Sequence, residues 1–115
     1  MDLKKMQASA KNATDMLKLL GHPDRLMVLC QLKNGEASVG ELSRLLDIKQ
    51  SPLSQHLARM RHEGVVVSRR DAQTIYYQLS GDKVAQIVTV LYELYCANQE
   101  DESDCDALTQ REARG

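Results

Sequence analysis

Gln50-Ser51-Pro52-Leu53-Ser54-Gln55-His56-Leu57-Ala58-Arg59-Met60-Arg61-His62-Glu63-Gly64 is the stretch on which the fold is read. Ser51 suits the cap of a helix that opens on Pro52, and Gly64 suits its end. Leu53, Leu57 and Met60 recur at i, i+4 and i+7 and form one apolar stripe. At about 100° per residue, the opposite arc carries Ser51, Ser54, Gln55, Ala58, Arg59 and His62. That face is polar, mostly short, and holds one long cation. It has the donors and acceptors that a DNA major groove reads. A plain solvated helix face would look the same in isolation, so the flanking segments decide.

Upstream, Ser38-Val39-Gly40-Glu41 is a capping box that starts a helix through Leu42, Leu45 and Leu46. The link Asp47-Ile48-Lys49-Gln50 leads from it into the opening stretch. Two short helices joined in this way, the second with a polar outer face, form a helix-turn-helix. Downstream the period changes to 2. Val65 to Arg69 reads as a strand, Arg70-Asp71-Ala72-Gln73 as a turn, and Thr74 to Leu79 as the return strand. A hairpin after a helix-turn-helix is a wing, and this one offers Arg69, Arg70, Gln73 and Thr74 to a phosphate backbone or minor groove.

Three more helices complete the chain. Leu3, Met6, Ala10, Ala13, Leu17 and Leu20 share one face of a first helix that Gly21 closes. Pro23 opens a second with Asp24 in its first turn. Its Leu26, Met27, Val28, Leu29, Cys30 and Leu32 are apolar almost all round, as in a central helix. Ser80 suits the cap of a last helix whose apolar residues, Val84 to Tyr95, cover a wider arc than one core contact needs. The surplus points to a subunit interface, with the first helix as its neighbour. The expected fold is mainly α with a small β-hairpin. It is a winged helix-turn-helix ordered α-α-α-α-β-β-α, a homodimer through its first and last helices.

The chain has 115 residues, which suits one domain. We expect that domain over residues 1–97 and an acidic, disordered tail over 98–115. Net charge is −1, but six acids and two bases from Gln99 to Gly115 leave the remaining body at +3. Whole-chain charge therefore understates the fit to nucleic acid. No apolar run approaches the ~18 residues of a membrane span and no signal peptide opens the chain, so the expected location is cytoplasmic. Three cysteines in that compartment argue against a disulfide framework. No C-x-x-C, phosphate loop or Ser-His-Asp order is present, so an enzyme is not expected.

The segments "GHPDRLMVLCQL" (Gly21–Leu32), "SVGELSRLL" (Ser38–Leu46), "QSPLSQHLARMRHEGVV" (Gln50–Val66) and "RRDAQTIYYQLS" (Arg69–Ser80) resemble the ArsR/SmtB family of winged-helix repressors. The likeness spans about Leu3 to Cys96. It implies a homodimer on double-stranded DNA, at an imperfect inverted repeat, with one recognition helix per half-site. By carry-over, Gln50, Ser51, Ser54 and Gln55 face the DNA, with Arg59 and the wing arginines nearby. For His56 two roles stay open: a phosphate contact, or a packed ring bonded across the motif. His62 reads as solvated or set at the negative end of the helix dipole, and His22 as a turn residue.

Many relatives sense metals. One family site uses a C-V-C run, whose matching positions here are Ser38 and Gly40. Another uses histidines along the last helix, where this chain has none between Asp82 and Cys96. Both sites are absent, so neither metal nor cofactor is expected.

Cys30 and Cys96, 66 positions apart, resemble instead the dithiol of the HlyU, BigR, SqrR and YgaV group, as do the flanking "LCQL" and "LYELYC". The resemblance implies a regulator of reactive sulfur species. A polysulfide or disulfide bridge between the two thiols would lower operator affinity. Alternatives are a peroxide-responsive disulfide switch and a constitutive DNA-binding protein whose cysteines are incidental. Lys33, one turn from Cys30, would favour its thiolate modestly. Asp104 and Asp106 disfavour that of Cys105.

Overall fold

The computed structural model describes residues 2–96. The helices are α1 (Leu3–Leu20), α2 (Pro23–Leu32), α3 (Val39–Leu46), α4 (Gln50–His62) and α5 (Asp82–Tyr95). The strands are β1 (Ala37–Ser38), β2 (Val66–Asp71) and β3 (Thr74–Leu79). Strand β1 was not expected from sequence. Its two residues pair antiparallel with Tyr77 and Tyr76, giving a three-stranded sheet in the order β1-β3-β2. So short a strand leaves no period to read, and it exists only because β3 lies beside it.

Helix α2 lies at the centre, against α1, α3, α4, α5 and β3. Its Val28, Leu29 and Leu32 are buried, together with Leu42 of α3, Leu53, Leu57 and Met60 of α4, and Val84 and Val88 of α5. The start of α2 is built by Pro23 and by His22, whose Nδ1 accepts the Asp24 amide at 3.1 Å. His22 is thus an N-cap rather than a bare turn residue. In α3 the capping box is complete: Ser38 Oγ accepts from the Glu41 amide, and the Glu41 carboxylate accepts from the Ser38 amide.

Two expected caps differ. Helix α4 begins earlier than expected, with Lys49 as N-cap and no side-chain cap. The cause lies in the turn before it. Asp47 adopts a left-handed φ of 56°, Ile48 is buried, and Ser43 Oγ donates to the Ile48 carbonyl at 2.6 Å. This compact turn brings the chain into helical geometry before Ser51, which therefore lies inside the first turn. Ser80 does not cap α5, whose N-cap is Gly81. Its hydroxyl instead donates to the Gly64 carbonyl at 2.6 Å, and its amide to the Val65 carbonyl.

The hairpin is also tighter than expected. Arg70 and Asp71 belong to β2 and pair with Ile75 and Thr74, which leaves Ala72 and Gln73 as the whole loop. Ala72 takes φ 60°, as the first residue of many two-residue hairpin loops does. On α1, only Leu19 and Leu20 are buried, while Leu3 (64 % exposed) and Leu17 (62 %) of the expected stripe face outward. On α5, Val90 (53 %), Leu94 (59 %) and Tyr95 (65 %) do the same. These surfaces leave a broad apolar area on one chain.

Candidate nucleic-acid interface

Burial along α4 separates its two faces. Leu53, Leu57 and Met60 are buried, while Gln50, Ser51, Ser54, Gln55, Ala58, Arg59 and His62 are exposed. The buried stripe seats the helix on α2 and α3, and the polar face is left for a ligand. Arg59, Arg61 and His62 occupy the last turn, where cations suit the negative end of the helix dipole.

His56 lies on neither face. Its side chain is 15 % exposed, its ring sits 4.5 Å from that of His22, and its Nε2 is 3.9 Å from an Asp24 carboxylate oxygen. Burial, then His22 and Arg25, push its pKa below the ordinary histidine value, against the opposing pull of Asp24. The ring packs between α4 and the start of α2.

Arg25 carries no role in the sequence reading, yet it is the one buried charged side chain among the described residues. Its Nε donates to the Leu19 carbonyl at 2.7 Å and a terminal guanidinium nitrogen to the Lys18 carbonyl at 3.2 Å. It thus closes the last turn of α1 and holds α1 against α2.

In the wing, Arg70, Gln73 and Thr74 are exposed at the tip. Arg69 is not freely projecting. Glu36 grips it with both carboxylate oxygens, one at 2.9 Å from Nε, and its guanidinium lies 4.7 Å from the Tyr76 ring centre. Hydrogen bonding to Arg69 lowers the Glu36 pKa, and the same bond raises that of Arg69. Glu36 was missed because 33 positions separate the partners. We expect Glu36→Gln to release the Arg69 guanidinium from its main anionic partner, leaving only Asp71 at 3.9 Å, with the melting temperature little changed because exposed ion pairs contribute little. Binding to a random duplex should then tighten, and its log–log salt dependence steepen by about one ion per chain.

Cys30 and Cys96 carry no disulfide, and both are half-buried. They line one open cavity of about 470 Å³ between α2 and α5, with Leu26, Met27, Lys33 and Tyr92 among its other walls. Lys33 Nζ stands 5.2 Å from the Tyr92 ring centre. Cys105 and the expected acidic tail lie outside the described residues.

The profile of the arsR family of bacterial regulatory proteins matches residues 22–68, the segment from the α2 cap through the first half of β2. The biofilm growth-associated repressor of Agrobacterium fabrum is 47% identical over 98 residues, 83% of this chain and 84% of its own length. The chain belongs to the arsR family. Within that family, the transcriptional activator HlyU of Vibrio cholerae is 45% identical over 86% of this chain and 93% of its own. The reduced HlyU structure superposes with a TM-score of 0.78 at 44% identity, covering 82% of this chain and 99% of that one. Family membership makes this chain a DNA-binding transcriptional regulator built on the winged helix-turn-helix, and not an enzyme. No helix among the described residues is long and apolar enough to cross a membrane.

Proposed function

We propose that the chain is a thiol-switched repressor. As a homodimer it binds an inverted-repeat operator, and it releases DNA when Cys30 and Cys96 are bridged by a polysulfide chain or a disulfide. The observation that carries this reading is that the two cysteines, far apart in sequence, line one cavity. The exposed apolar faces of α1 and α5 support dimerisation. Gln50, Ser51, Ser54, Gln55 and Arg59 read the major groove, while Arg70, Gln73 and Thr74 approach the backbone from the wing. Arg69 joins them once it leaves Glu36. His56 acts through its packing against α2.

Reactive sulfur can supply both the inserted atom and the oxidising power. With a hydropersulfide RSSH, Cys30 and Cys96 as thiols consume two RSSH. They yield a Cys–S–S–S–Cys trisulfide, two RSH and one hydrogen sulfide, by successive thiolate attack on sulfur. The bridge ties α2, which supports the reading helix, to α5, the proposed dimer helix. A shift of the half-sites away from the ~34 Å repeat of the major groove then costs base contacts without unfolding.

The test is a binding titration on an inverted-repeat promoter duplex with reduced, peroxide-treated and persulfide-treated protein, each checked by intact mass. Bridged protein should bind about 5- to 150-fold more weakly, the usual span of allosteric coupling. Unchanged affinity after complete Cys30–Cys96 bridging refutes the switch. An equal loss with peroxide alone selects the simple disulfide.

A further inference from the structure

The sequence places His22 and His56 34 positions apart, and neither belongs to the metal sites sought by resemblance. The fold brings them together. Among the described residues, His22, Asp24 and His56 each offer one ligand atom, and these atoms all lie within 4.8 Å of one another. All three side chains are half-buried, so the cluster is sheltered yet reachable from solvent. We propose that His22, Asp24 and His56 form a binding site for a borderline divalent transition ion such as zinc or cobalt. The ion would pin the first turn of α2 to the middle of the recognition helix.

Two imidazoles and one carboxylate are the donor set that such ions accept, with a fourth position left for water. Nitrogen and oxygen bonds of about 2.0–2.2 Å require the donors to draw in somewhat from their present spacing. Two donors bound tetrahedrally at that length stand about 3.4 Å apart, so the His56–Asp24 separation of 3.9 Å needs to close only slightly. Burial lowers the His56 pKa, which favours the neutral imidazole that ligates. Two features oppose binding. The Nδ1 lone pair of His22 caps the Asp24 amide, so coordination there exchanges a neutral hydrogen bond for a metal bond. Arg25 and Arg59 also bring positive charge near His56. The site is therefore one of modest affinity, filled or emptied by changes in available metal. It is independent of the thiol pair, which lines a different cavity.

Cobalt(II) titration of the full chain tests this directly. It is run on reduced protein and on Cys30→Ser/Cys96→Ser/Cys105→Ser, which removes every thiol ligand. We expect one cobalt per chain in both, visible as ligand-field absorption, and a higher melting temperature with cobalt. His22→Asn keeps a side-chain cap for α2 but removes the imidazole, and Asp24→Asn removes the carboxylate. Each should weaken cobalt binding at least tenfold with the far-ultraviolet circular dichroism unchanged. His56→Gln should do the same. The proposal is overturned if no cobalt binds at one equivalent, if binding survives in His22→Asn and His56→Gln, or if it vanishes in the cysteine-free chain.

Discussion

Leu57→Ala is expected to cost about 2–5 kcal/mol of stability, the range for a leucine truncated in a closed core. Leu57 is fully buried at the centre of the stripe that seats α4. Domains of this size have only about 5–15 kcal/mol in total, so the variant should be partly unfolded at modest temperature. The check is a urea titration at fixed protein concentration, because any dimerisation makes stability concentration-dependent. The midpoint should fall with little change in slope. Ser54→Ala, one turn away on the exposed face, should change stability by only about 0.5 kcal/mol. The contrast would show that the exposed face of α4 is held in place by its buried stripe.

Arg25→Met has the second largest effect expected. Methionine has comparable reach but cannot donate, so the Leu19 carbonyl loses its Arg25 Nε donor, while the Lys18 carbonyl keeps the Gly21 amide. Leaving that one buried acceptor unpaired costs about 1–3 kcal/mol. A second readout separates this from simple repacking. Arg25 is one of the cations that hold the His56 pKa down, so its removal should move the His56 titration, followed by NMR, upward. Arg25→Lys retains the charge but not the planar fork. It should lose part of the stability and leave the His56 titration nearly in place. A fall in stability with no movement of His56 in Arg25→Met would disprove the electrostatic link between these two helices.

Much of the fold was legible because its signals are local. The bounds of α1, the Pro23 start of α2 and the Ser38–Glu41 box each depend on residues within one or two turns of each other. The polar face of α4 was legible for the same reason. What could not be read locally came from tertiary contacts. Strand β1 needs β3, and Ser80 is drawn from the α5 cap by the Gly64 carbonyl. Asp47 and the buried Ile48 set the α4 start, through a turn whose handedness no local pattern announced. Within the candidate site, Glu36 and Arg69 meet only through the fold, as do His22 and His56. Their separation in sequence hid one clamp and one candidate ligand set.

The closure of the hairpin at its base has a consequence for how such a protein can diversify. Ser80 returns to Gly64 and Val65, so the chain leaves and re-enters the body at one point. Beyond the Arg69–Tyr76 rung, the residues from Arg70 to Ile75 are all exposed and take no part in the core. That tip is an interchangeable cassette. Its length and charge can vary without disturbing the helices, the thiol cavity or the seat of α4, because none of its side chains belongs to the core.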